Sequence, residues 1–155
     1  MTSKITPTTQ PACFIVHDLD HAIAALETAQ RRDTQVMLVS APGAARTGGA
    51  GWWRELIAQA KAQTPGADMI SVLDCADEAG MALAAIRAGV EAIAVTAGNE
   101  TGDRIADIAG QAFVSLISIP WAEAVDLAGT NDPQAVCENH LASRAGGVAN
   151  PGALG

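Results

Sequence analysis

Short runs of consecutive apolar residues, each closing on a polar side chain and each followed by helical spacing, recur along this chain. They close at His17 and Asp18, at Ser40, at Asp74 and Cys75, at Thr96, and in Ser118-Ile119-Pro120. A strand that is apolar at consecutive positions has both faces buried, as in a parallel sheet, and parallel strands need crossover helices. The alternation predicts a single-domain α/β protein with a five-stranded, mainly parallel sheet and helices on both faces. All strands then end at one edge, where open α/β folds bind ligands. A doubly wound, flavodoxin-like order is expected. The rival is half of a (βα)8 barrel, with strands in sequential order and the sheet closed by a partner subunit, because both have the same succession of elements.

The strands are expected at Ala12 to His17, Gln35 to Ser40, Met69 to Asp74, Val90 to Thr96 and Phe113 to Ile119. Asp18 or Asp20 is placed to cap the first helix, whose inward face is Leu19, Ala22, Ile23, Leu26 and Ala29. A glycine-rich connection from Ala41 to Gly51 leads to a helix from about Trp52 to Gln63. Asp77 is expected to cap the next helix, and Gly89 to end it. Asp132-Pro133 supplies a cap and first-turn pair for a last helix reaching about Ser143, with Val136, Cys137, His140 and Leu141 along a packing stripe. The domain is expected at 12–144, between a flexible arm (1–11) and a disordered tail of small residues (145–155).

Composition removes several functional classes. The 155 residues are 49% hydrophobic, contain two phenylalanines, three tryptophans and no tyrosine, and carry a net charge of −8. The nine basic residues are scattered, so neither the electrostatic footprint nor the aromatic platforms of a nucleic-acid binder are present. No run approaches the ~20 apolar residues of a membrane span, and the polar N-terminus lacks a signal-peptide core. Three cysteines, Cys13, Cys75 and Cys137, are an odd number at wide spacing, which suits reduced thiols in the cytoplasm rather than a disulfide framework. The lysines are Lys4 and Lys61, neither on a predicted strand, which argues against imine-forming catalysis.

Candidate chemistry collects at the strand ends. Cys75 precedes a helix N-terminus, where the dipole favours a thiolate, with Asp74 and Asp77 opposing it. Cys75 or Asp74 is the candidate nucleophile or base, and His17 the proton carrier. His17 and His21 flank two aspartates, but one histidine is on a strand and the other on a helix, so no metal is expected. The loop carrying Gly43, Gly48 and Gly49 offers backbone amides and Arg46 to an anion, beside Ser40 and Thr96. Its spacing fits no nucleotide-binding motif, and no cofactor is expected. Trp52 and Trp53 are neighbours in the first turn of a helix, about 100° apart around its axis. One is expected inward, and the pair is the candidate interface of a homo-oligomer.

The succession of five β-α units, with Asp74 ending the third strand, Thr96-Ala97 the fourth and Pro120 following the fifth, resembles a response-regulator receiver domain. That resemblance implies a phosphoryl-accepting strand-three aspartate, an assisting strand-four hydroxyl and a lysine before the proline. Ile119 stands in the lysine's place, and Asp18 with His17 replaces the paired acids, so the likeness is to a degenerate receiver. The segments 36–45 and 73–95 also look like an uncharacterised family of small bacterial α/β proteins, which implies no activity.

The expectation for function is a small polar or anionic metabolite held at the strand ends, with or without weak cysteine- or acid/base-dependent catalysis. The alternative is a non-catalytic, receiver-like interaction or oligomerisation module.

Overall fold

A computed structural model describes the backbone of residues 10–154 and the side chains of residues 10–145. The expected arm lies outside the described residues except for Gln10 and Pro11. The apolar runs form parallel strands: β1 (Ala12–Ile15), β2 (Val36–Val39), β3 (Met69–Asp74) and β4 (Ala92–Ala94). Two short strands complete the sheet, β5 (Ser115–Leu116) and β6 (Val125–Asp126). The helices are α1 (Leu19–Arg31), α2 (Ala44–Thr47), α3 (Gly49–Gln63), α4 (Ala79–Ala88), α5 (Asn99–Gln111) and α6 (Pro133–Leu154).

The single-domain α/β architecture with a parallel sheet is therefore as expected, with six strands in place of five. The order is β5-β4-β3-β2-β1-β6, the sequential winding of the barrel-like rival rather than a doubly wound receiver order. This order moves the helices. With right-handed crossovers between adjacent strands, every helix falls on the same side of the sheet. The burial follows suit: Ala12, Phe14, Val16, Leu38, Leu73 and Ile93 from one sheet face share a cluster with buried residues of all six helices.

Among the described residues no helix packs on the opposite face. Its residues Cys13, Ile15, Met37, Val39, Val72, Ala92 and Ala94 are instead packed with Ile119, Ile117 and Ala124. The expected fifth strand thus ends early, at Leu116, and the chain leaves the sheet to cross this bare face before returning as β6 beside β1. Residues 117–124 thus cover the sheet face that the helices leave bare. Removing a large side chain from water on either face contributes roughly 1.5–3 kcal/mol, so both clusters stabilise the fold.

Local signals that the sequence carries are in place. Asp18 caps α1, its Oδ1 accepting from the His21 amide at 2.9 Å. Gly89 ends α4 in the left-handed region at φ 81°. Asp132 caps α6 through the Ala135 amide at 3.1 Å. Asp77 does not cap α4; Glu78 stands at that position and its side chain makes no capping bond. The α6 backbone continues to Leu154, through the segment expected to be a disordered tail. Among the described residues no helix is long and apolar enough to cross a membrane.

Candidate functional site

Because every strand runs the same way, the residues closing β1, β2, β3 and β4 lie along one edge of the sheet. Along that edge two polar clusters differ in how far they are already satisfied.

The first joins β2 and β3. Ser40 is fully buried; its hydroxyl accepts from the Asp74 amide at 2.9 Å and donates to the Ala41 carbonyl at 3.1 Å. The Asp74 carboxylate, buried in turn, accepts from the Gly43 amide at 2.7 Å. Gly43 sits at φ 69°, a conformation that a side chain would strain. The amide expected to cradle a bound anion is thus engaged by a carboxylate of the chain itself. Arg46 reaches across to Glu78 at 3.2 Å, and most of its side chain stays in solvent. Thr96 is exposed and donates its amide to the Ala76 carbonyl at 2.7 Å. Ala76 is held at φ 51° between these strand ends.

Cys75 does not fit the nucleophile role. Its residue is 1% exposed, within the cluster that includes the helices, and its Sγ lies 3.8 Å from the Leu73 carbonyl. Burial first, and the Asp74 charge second, push the thiol up to about 11. Helix-dipole stabilisation is too small to overcome that desolvation, so the sulfur keeps its proton at neutral pH.

The second cluster surrounds His17. Its Nε2 lies 2.6 Å from Oδ1 of Asp126, at the end of β6. The carboxylate fixes the Nε2–H tautomer of the neutral ring and leaves Nδ1 as the acceptor nitrogen. The His17 amide in turn donates to Nδ1 of His21 at 3.0 Å, so His21 carries its neutral-state proton on Nε2, 3.7 Å from Oδ2 of Asp18. The two imidazoles meet edge to face with centroids 5.7 Å apart. Burial of Asp126 would raise its carboxyl pKa, but the Ala128 amide, the His17 hydrogen bond and the charges of His17 and His21 hold it below its ordinary value.

Beside this cluster lies a groove of about 340 Å³, walled by His17, Asp18 and Leu19 on one side and by Trp52, Glu55, Leu56 and Gln59 of α3 on the other. Trp53 is buried, 1% exposed, whereas Trp52 is 38% exposed. One of the pair therefore packs inward as expected, and Trp53 is a core residue rather than an interface. Trp52 lies over Gly48, where an added Cβ would come within 2.7 Å of the indole Cε3. Gly48 thus serves the tryptophan's placement, and Gly49, at φ 85°, the chain reversal into α3.

Asp126, Glu55 and Gln59 are not among the residues that the sequence singles out. Asp126 follows only two apolar residues, Ala124 and Val125, too short a run to read as a strand end. Among the described residues no group of three histidine, cysteine, aspartate or glutamate side chains is arranged to hold a metal ion. The chain matches no protein-family model and no curated protein.

Proposed function

We propose that this protein binds a small polar metabolite at the C-terminal edge of its sheet, in the groove between the β1–α1 turn and α3. His17, oriented by Asp126, is the residue that exchanges a proton or hydrogen bond with it. The observation that carries this reading is the 2.6 Å His17–Asp126 contact beside an open groove of about 340 Å³. A carboxylate that orients a histidine and leaves one ring nitrogen as acceptor is the arrangement that general-base chemistry needs. The Ser40–Asp74–Gly43 cluster takes a supporting part, holding the neighbouring strand ends in register. Three buried, unpaired cysteines fit a cytoplasmic setting.

Amide-resolved NMR titration with a panel of small polar compounds tests the reading. Shifts centred on His17, Asp18, Leu19 and Trp52, with affinity reduced about tenfold in His17→Ala and Asp126→Asn, are expected. Shifts confined to residues 43–49 would place the ligand in the glycine loop and overturn it.

A second reading, a homo-oligomerising interaction module, draws on the other end of the sheet. Phe113 is 94% exposed beside the edge strand β5, and Leu116, Ile108 and Trp121 are also exposed. Concentration-dependent sedimentation that Phe113→Asp abolishes would favour it.

A further inference from the structure

We infer that the groove beside His17 takes a small organic cation, an alkyl- or quaternary-ammonium head on a short chain. The inference rests on the groove reading above and names its ligand class. Two acidic residues line the groove, Asp18 and Glu55. Asp18 is held by the His21 amide at 2.9 Å, with the His21 ring at 3.7 Å. Glu55 is held by the Gln59 carboxamide at 3.0 Å. Neither has a lysine or arginine within ion-pair distance among the described residues, whereas Glu138 is bridged by Arg31 and Arg32 and Glu78 by Arg46.

Trp52 lines the same groove, one indole face against the bare backbone of Gly48 and the residue partly open to solvent. An indole is the aromatic surface most attractive to a cation, through its ring quadrupole. Leu19 and Leu56 complete the wall and suit the methyl or methylene groups around an ammonium centre. Among the described residues no lysine or arginine lines the groove, and the chain as a whole carries a net charge of −8, so its far field attracts cations and repels anions. An anionic ligand would be set here against two carboxylates that have no lysine or arginine partner among the described residues.

Choline and its neutral carbon isostere, 3,3-dimethyl-1-butanol, separate charge from shape, and sodium acetate supplies the opposite charge. Each is titrated into the isotopically labelled full chain, following the Trp52 indole resonance and the amides of Leu19 and Glu55. Choline is expected to bind about five- to tenfold more tightly than the isostere, and acetate not to compete. Trp52→Leu should abolish that preference, Trp52→Phe keep part of it, and Glu55→Gln weaken choline severalfold, each variant first shown folded by circular dichroism. Equal binding of choline and the isostere, or tighter binding of acetate, would overturn the cation assignment while leaving the groove as a site. Absence of any shift at groove residues with all three probes would overturn the cation assignment, and the compound panel above then decides the groove reading separately.

Discussion

Along one edge of the sheet, the β2–β3 corner and the β1–β6 corner treat polar side chains in opposite ways. At the first, Ser40, Asp74 and Gly43 are joined by hydrogen bonds, with Ser40 and Asp74 withdrawn from solvent. At the second, His17 is 32% and Asp126 53% exposed at the side chain, and the imidazole keeps an acceptor nitrogen beside a groove. Both corners have the polar strand-end residue associated with ligand sites in folds of this kind. What separates them is whether the neighbouring backbone already completes the hydrogen bonding. A polar group at a strand end is thus available for chemistry only when the next loop does not claim it.

The sharpest way to break this contrast is Asp74→Ala, which leaves the part-buried Gly43 amide without its carboxylate acceptor. A loss of about 2–3 kcal/mol in urea unfolding is expected, against under ~1 kcal/mol for His17→Ala. Equal losses would mean that the two corners carry the same structural role. Next in size is Gly43→Ala, which places a side chain at φ 69° and should cost roughly 1–2 kcal/mol in the same measurement. A neutral result there would show that the corner relaxes without strain.

The buried thiol gives a pH test. Cys75 keeps its proton in the folded chain up to about 11, against an ordinary 9.0 when unfolded. The folded state therefore binds more protons between those values, so the contribution is intact below pH 9 and is lost as pH rises through the window. Cys75→Ala should flatten part of the alkaline decline in melting temperature, and native Cys75 should resist alkylation at neutral pH. Rapid labelling at pH 7 would restore it as a nucleophile.

The smallest effect belongs to the open corner. His17→Ala should move the Asp126 carboxyl pKa upward, followed by its side-chain carbonyl carbon resonance, as the histidine's hydrogen bond and charge are lost. Because Asp126 is lowered in the folded state, its contribution is present above its unfolded pKa and fades as pH falls through the folded one. Solvent screening keeps that contribution under ~1 kcal/mol.

Much of the frame was legible before any coordinates. Met69 to Asp74 is a strand over the expected residues, β1, β2 and β4 lie inside the expected runs, and Asp18, Gly89 and Asp132 punctuate the helices where their chemistry places them. Strand order was not legible, because the pattern of elements is the same for sequential and doubly wound sheets. The helix-free face was hidden for the same reason: consecutive apolar residues say that both faces are covered, not that residues 117–124 rather than helices do the covering. Asp126 escaped because a two-residue strand shows no periodicity. The loop glycines suggested an external anion because nothing local reveals that Asp74, distant in sequence, supplies one from within.

Gly48 gives the groove a point of control. With hydrogen in place of a side chain there, the Trp52 indole settles flat on the main chain, and the opening keeps its width. A methyl at that position would stand 2.7 Å from the indole Cε3, closer than carbon atoms pack, so the ring would have to give way. A single codon therefore sets where the groove's tryptophan lies.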